Sequence, residues 1–181
     1  GAILNYSPRL TQVWSHESAI NHAAFSPDGL WALTASRDWT ARLWNVVTGQ
    51  PGPVLGHDTN VSKAVFSADG RRVLTASDDG IVGVWNPATG KLACPPLEHR
   101  YRVTHALISP DGRRVFTAGD PAETNFVPVK FEPHSDPEGE VRIWDAATGR
   151  QLRPPFRQKK SVFSLALSLD GQWLAVSLGQ S

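Results

Sequence analysis

A single cysteine, Cys94, among 181 residues has no intrachain partner for a disulfide and cannot build a thiolate metal cluster, which points to a reducing, cytoplasmic compartment. Neither sign of charge dominates. Eighteen Lys and Arg stand against 17 Asp and Glu, net +1, and no run of like charge exceeds two residues, as in Lys159-Lys160. That balance excludes the broad basic field of a dedicated nucleic-acid binder or a polybasic membrane binder. A stretch of about 18 apolar residues is lacking, as is a signal-peptide pattern. So are a phosphate-cradling glycine loop and a Cys-x-x-Cys pair. No Met precedes Gly1-Ala2, as expected of a processed chain or a fragment.

What the chain does have is seven Trp, 15 Gly and 14 Pro, with 40% hydrophobic residues. Length favours one domain, or one and a fraction, at about 150 residues each. Abundant turn formers and repeated Trp anchors point to an all-β protein.

Self-comparison reveals a repeat. Phe25-Ser26-Pro27-Asp28-Gly29 recurs as Phe66-Ser67-Ala68-Asp69-Gly70, as Ile108-Ser109-Pro110-Asp111-Gly112 and as Leu167-Ser168-Leu169-Asp170-Gly171. Leu43-Trp44-Asn45, Val84-Trp85-Asn86 and Ile143-Trp144-Asp145 form a second series, each followed three residues later by Thr-Gly. Asp28 to Trp44 and Asp69 to Trp85 both span 16 positions, but Asp111 to Trp144 spans 33, so the third unit carries 17 extra residues. Period-two patterning predicts strands within each unit. In the second they are Val61 to Phe66 (a), Arg72 to Ser77 (b), Ile81 to Trp85 (c) and a Pro-limited outer edge strand ending near Leu97 (d).

The joint spacing of His, Asp-Gly and Trp resembles that of the WD-repeat β-propeller family, and the phrases "SPDGRRV" and "WNPATGK" look like its bacterial branch. The resemblance implies an all-β ring of four-stranded antiparallel blades around a channel, serving as a platform for macromolecules and lacking catalysis. On this reading residues 1–15 supply strands c and d of a partial blade. Residues 16–56, 57–98 and 99–157 are three repeats, the third with an insertion at 120–137, and 158–181 is a partial fourth.

The resemblance also implies a buried relay in each blade, running from the indole N–H to a strand-b hydroxyl, to a His, to a turn Asp. The matching residues are His16, Thr34, Asp38 and Trp44, then His57, Thr75, Asp79 and Trp85, then His99, Thr117 and Trp144. A hydroxyl, a His and an Asp can also be read as a nucleophilic triad. Catalysis does not need the same set in blade after blade, whereas a buried indole and imidazole need partners. In the third unit Glu138 stands six residues before Trp144 in place of Asp. In the fourth, Gln158, Val176 and Gln180 occupy the relay positions, leaving Val162, Leu165, Leu167, Leu174 and Val176 to hold that blade by packing. Glu132, His134, Asp136 and Glu138 match no metal-ligand spacing, and a solvated loop is the expectation there. Cys94, with no adjacent basic residue, reads as inert. No cofactor is expected.

Turns joining strand b to c, and d to the next a, share one rim, which in the family is the usual partner-binding face. Here it would carry Arg37, Trp39 and Asp78, with Arg100, Tyr101 and Arg102 at a loop start and His22, Lys63 and His105 at strand-a bulges. Trp39 takes the place of Gly80 in the equivalent turn and is a candidate hot spot. Trp31 and Trp173 begin strand b and read as structural. The insertion, roughly Asp120 to Pro137, contributes Phe126, Val127, Val129 and Phe131, too apolar a set for a flexible linker.

Two strands, three blades and two strands sum to four blade equivalents, half of the seven- or eight-bladed ring the family needs, with Ile3 at a Trp position. The expected solutions are a homodimer closing an eight-bladed ring, or the remainder of a longer propeller, with a closed four-bladed ring disfavoured. The leading functional expectation is a non-enzymatic scaffold or sensor module that binds a protein partner, within a larger bacterial regulatory protein. The alternatives are nucleic-acid binding through Arg37, Lys63, Arg100, Arg102 and Trp39, or a regulatory domain associated with an enzyme.

Overall fold

A computed structural model describes residues 13–119 and 139–179. Four antiparallel sheets follow one another in chain order. The first contains β1 (Ile20–Phe25), β2 (Trp31–Ser36), β3 (Thr40–Asn45) and β4 (Pro51–Gly56). The second contains β5 (Val61–Phe66), β6 (Val73–Ser77), β7 (Ile81–Asn86), and an outer edge split into β8 (Lys91–Leu92) and β9 (Leu97–Glu98), both paired with β7. The split falls at Pro95-Pro96, which cannot donate to the ladder. The third has β10 (Val103–Ile108), β11 (Arg114–Gly119), β12 (Gly139–Asp145) and β13 (Phe156–Gln158). A last pair, β14 (Val162–Leu167) and β15 (Leu174–Leu178), completes the order. Among the described residues no helix is long and apolar enough to cross a membrane.

The recurring Ser-x-Asp-Gly turn explains the register. In each copy the Asp carboxylate accepts the Ser hydroxyl and the N–H two residues on, from Leu30, Arg71, Arg113 and Gln172 at 3.0 Å each. The glycine takes a left-handed conformation, φ 69–70°, that other residues adopt only with strain. Each strand a also carries a register shift just before its third residue: His22, Lys63, His105 and Ser164.

The core lies between successive sheets. Leu33, Leu43 and Leu55 of the first pack on Val61, Ala64 and Val73 of the second. Val82, Val84 and Leu97 meet Val103, Ala106 and Val115 of the third. Ala118 and Val141 meet Val162 and Leu165, with Leu174 and Val176 partly buried beside them. Strand d of the third sheet runs through Gln158, which pairs with Gly139, one residue past the boundary expected at 157. Residues 1–12, including Ile3, and Gln180 lie outside the described residues.

Candidate functional site

In the first sheet, Trp44 Nε1–H donates to Thr34 Oγ1 at 2.9 Å, and Thr34 Oγ1 lies 2.7 Å from His16 Nε2. His16 Nδ1 is 2.8 Å from Asp38 Oδ2. A carboxylate can only accept, so Nδ1 carries the proton that Asp38 receives, and the Thr34 hydroxyl also lies 3.4 Å from Arg42 O. Desolvation opposes ionisation of Asp38, but its bonds from Thr40, His16 and Glu17 N–H outweigh that and hold its carboxyl well below the ordinary range.

The second sheet repeats the inner part, with Trp85 Nε1 to Thr75 Oγ1 at 2.7 Å and Thr75 Oγ1 to His57 Nε2 at 2.6 Å. Here Asp79 accepts the Ser77 hydroxyl at 2.6 Å and Ile81 N–H at 3.2 Å, and acts on His57 through its charge. Burial pushes the His57 pKa down despite that charge, favouring neutral imidazole.

In the third sheet the acid differs from the one expected. Trp144 Nε1 donates to Thr117 Oγ1 at 2.7 Å, and Thr117 bonds His99 Nε2. The carboxylate at His99 Nδ1 belongs to Glu140, at 3.3 Å, while Glu138 lies outside the described residues. Glu140 pairs with Arg142 through Nε–Oε1 at 2.9 Å and Nη2–Oε2 at 3.2 Å. Burial would raise the Glu140 pKa, but the His99 imidazole close by and the two bonds from Arg142 bring it down to about 2. In register Glu140 corresponds to Thr40 of β3, so the acid moves from the turn onto the strand, where a longer side chain recovers the reach. In all three sheets the Thr hydroxyl is buried and accepts an indole N–H while contacting a His Nε2. Trp14, which the repeat did not single out, stacks on Trp44 at 6.0 Å.

The rim shows a different chemistry. Trp39 sits in the β2–β3 turn at φ 69°, the one non-Gly residue with positive φ among the described residues, and is 55% exposed. Its carbonyl accepts His57 N–H at 2.9 Å, just as Gly80 O accepts His99 N–H at 3.0 Å, so the next sheet fixes the turn. A Cβ at Gly80 would meet the His99 and Tyr101 carbonyls at 2.8 Å, and Gly is required there. Arg37 Nε donates to Asn21 Oδ1 at 3.3 Å. Asp78 and Arg102 are brought together as an ion pair at 2.9 Å. Tyr101 is a correction to the expected rim surface. It is only 6% exposed, its carbonyl wedged against Gly80 and the Arg100 guanidinium lying over its ring at 5.4 Å. His22 and Lys63 sit at their bulges half-buried. Burial, followed by the Lys63 charge, lowers the His22 pKa, and burial lowers that of Lys63. His105 Nδ1 lies 3.1 Å from Thr104 Oγ1. Phe126, Phe131, Glu132, His134 and Asp136 lie outside the described residues, but β11 ends and β12 begins at this same rim. Burial pushes the Cys94 thiol pKa up, which withholds the thiolate.

The profile of the WD domain, G-beta repeat, matches residues 8–45 and 49–86. Over 35 residues, 19% of this chain, the sequence is 54% identical to the Notchless protein homolog of Arabidopsis thaliana, and the match spans 7% of that relative's length. The crystal structure of the computationally designed Ika4 protein superposes with a TM-score of 0.71 at 23% identity, covering 95% of this chain and 98% of that one, which shows the fold. Four-stranded antiparallel sheets packed face to face in chain order, with a Trp–Thr–His relay in three of them, show a β-propeller fold that carries WD repeats at residues 8–45 and 49–86.

Proposed function

We propose that this chain is a non-catalytic interaction module that engages a protein partner through the rim bearing Trp39. Exposure of Trp39 in a left-handed conformation carries the reading. Every other described residue at positive φ is Gly, and a bulky L-residue there costs about 1–2 kcal/mol. A large aromatic kept on the surface at that cost suits a binding anchor. On this reading the insertion 120–137 adds Phe126 and Phe131 as candidate partner-binding residues. Nucleic-acid binding is disfavoured, because Arg102 is paired with Asp78, Lys63 is half-buried and Arg100 lies on Tyr101. A scaffold or sensor role in a larger regulatory protein, in a reducing compartment, fits the same rim.

The test is Trp39→Gly, which removes the indole and relieves the backbone together. Its melting midpoint should stay within a few degrees of the parent, while affinity for a protein partner captured on the parent chain should fall at least tenfold. Undiminished affinity would move the site elsewhere.

A second copy of the chain is the proposed occupant of the two outer faces. Ile20 and Phe25 of β1 are exposed, although their equivalents Val61 and Phe66 lie against the preceding sheet. At the other end Phe163 and Trp173 are exposed on the last strand pair. These are the two kinds of surface that meet at each internal junction, so the head of one chain suits the tail of another. Light scattering showing a folded monomer at micromolar concentration would refute this assembly.

A further inference from the structure

The end of the sheets opposite Trp39 holds a cavity of about 740 Å³ between the second and third sheets. Its walls come from the a–b turns of both, from β8 and from the turn after β12. Four cations reach it: Arg71, Arg72, Lys91 and Arg113. The third unit has Arg113, Arg114 and Arg150 at the positions of Arg71, Arg72 and Lys91, but the first and fourth units lack such cations. At the positions of Arg71, Arg72 and Lys91 the first unit has Leu30, Trp31 and Gln50, and the fourth has Gln172 and Trp173 after its Asp-Gly. Accordingly the equivalent space between the first and second sheets is only about 240 Å³ and is lined by Trp31, Leu43, Pro53 and Phe66.

Pro27 fills the first junction, its Cδ 3.6 Å from where a Cβ on Gly70 would lie, and Pro110 fills the last, 3.1 Å from that of Gly171. At the middle junction Ala68 replaces the proline, and a carboxylate oxygen, Asp69 Oδ2, takes its place at 3.6 Å from the Gly112 position. Three carboxylates also face the cavity; each accepts bonds from its own turn through Oδ1 and keeps its charge, so four cations stand against three anions. Asp69 and Asp111 accept a Ser hydroxyl and an N–H, and Asp145 accepts the Thr148 hydroxyl and N–H groups. Arg72 is steadied across the junction by one bond to Ala146 O at 3.1 Å, while Arg71, Lys91 and Arg113 are exposed.

We infer that this cleft binds a phosphomonoester. Guanidinium groups from two different sheets line the cleft, a guanidinium fork can pair bidentately with phosphate, and a volume in the range of about 300–1,000 Å³ accommodates an organic phosphate with its carrier. Leu92 and Ala93 supply an apolar wall for that carrier.

Calorimetric titration of the intact chain at low ionic strength tests this with two probes, glycerol 3-phosphate and a phosphoserine hexapeptide, against glycerol, the unphosphorylated peptide and succinate. Saturable binding of one phosphate ester per chain is expected, weakened at least tenfold by Arg71→Gln or Arg113→Gln. Arg150→Gln, a cation outside the cleft, and Trp39→Gly should leave it unchanged, which separates this site from the protein-binding rim. Comparable affinity for both probes identifies a small organic phosphate, and a tenfold preference for the peptide identifies a protein-borne one. Absence of saturation at millimolar ester, succinate binding equally well, or affinity unmoved by both arginine substitutions overturns the assignment.

Discussion

Strand β6 and strand β15 occupy the same place in the repeat and meet opposite surroundings. Val73 and Thr75 are fully buried in β6, which has β5 and β7 as ladder partners and β10 packed on its face. Their equivalents in β15, Leu174 and Val176, are half-buried, and the preceding Trp173 is 75% exposed. Trp31, at the matching position in the first sheet, is covered by its own outer strand: a Cβ on Gly52 of β4 would lie 2.8 Å from its ring. Burial therefore comes from the neighbouring strand and sheet rather than from the residue, as in any solenoid-like array whose stability is a sum over interfaces. Trp173, read from the sequence as structural, lacks that cover among the described residues.

The largest test of this contrast is Trp85→Ala. The indole is buried in the core between the first two sheets and satisfies Thr75, so a loss of about 3–5 kcal/mol in chemical denaturation is expected. A loss under about 1 kcal/mol would mean that the relay and the core beneath it are not the source of blade stability.

His57→Ala comes next. It leaves the Thr75 hydroxyl without its acceptor in a dry place, at about 1–3 kcal/mol. Gln158→Ala, at the corresponding position beside the relay-free pair, should cost less than about 0.5 kcal/mol. Equal shifts in denaturation midpoint for the two would erase the distinction between relay and relay-free blades.

Much of this contrast was legible in the sequence, and its exceptions have physical causes. Three Trp, Thr and His sets at fixed spacing identify the relay because a buried indole N–H must find a partner. Glu140 was missed because spacing counts turn positions, whereas the geometry rewards any carboxylate that reaches Nδ1, and a Glu two residues later on the strand does so. The burial of Tyr101 escaped notice because it depends on the carbonyl packing around Gly80. The cation-lined cleft depends on packing between sheets, but part of its signal was present: Arg71-Arg72 stand where the first and fourth units have Leu30-Trp31 and Gln172-Trp173.

Acid should reveal a smaller difference between relay and relay-free regions. His57 and His99 have pKa values lowered from 6.5 by burial, so below pH 6.5 the unfolded chain binds protons that the folded one resists. Their contribution is complete above pH 6.5 and is lost as pH falls through the folded values. Glu140, lowered from 4.5 to about 2, contributes fully above about pH 4.5 and loses that contribution as pH falls toward 2. Denaturation midpoints should fall from pH 7 to pH 5, less so in His57→Gln, and fall again below pH 4.5, less so in Glu140→Gln. A flat profile between pH 7 and pH 5 would contradict neutral, buried imidazoles.

The smallest effect is expected for Trp173→Ala in dilute solution. An exposed side chain has little transfer energy to lose, so the change should stay within about 0.5 kcal/mol. The value should not stay small if a second copy covers the last strand pair. Mass action makes the stability of an assembly depend on protein concentration, and removal of an interfacial Trp would then weaken self-association by tenfold or more. Sedimentation of Trp173→Ala and the parent chain across a hundredfold concentration range distinguishes the cases. Matching curves at every concentration would show that β15 keeps its open face in solution, and with it Trp173 would be an exposed aromatic awaiting some other cover.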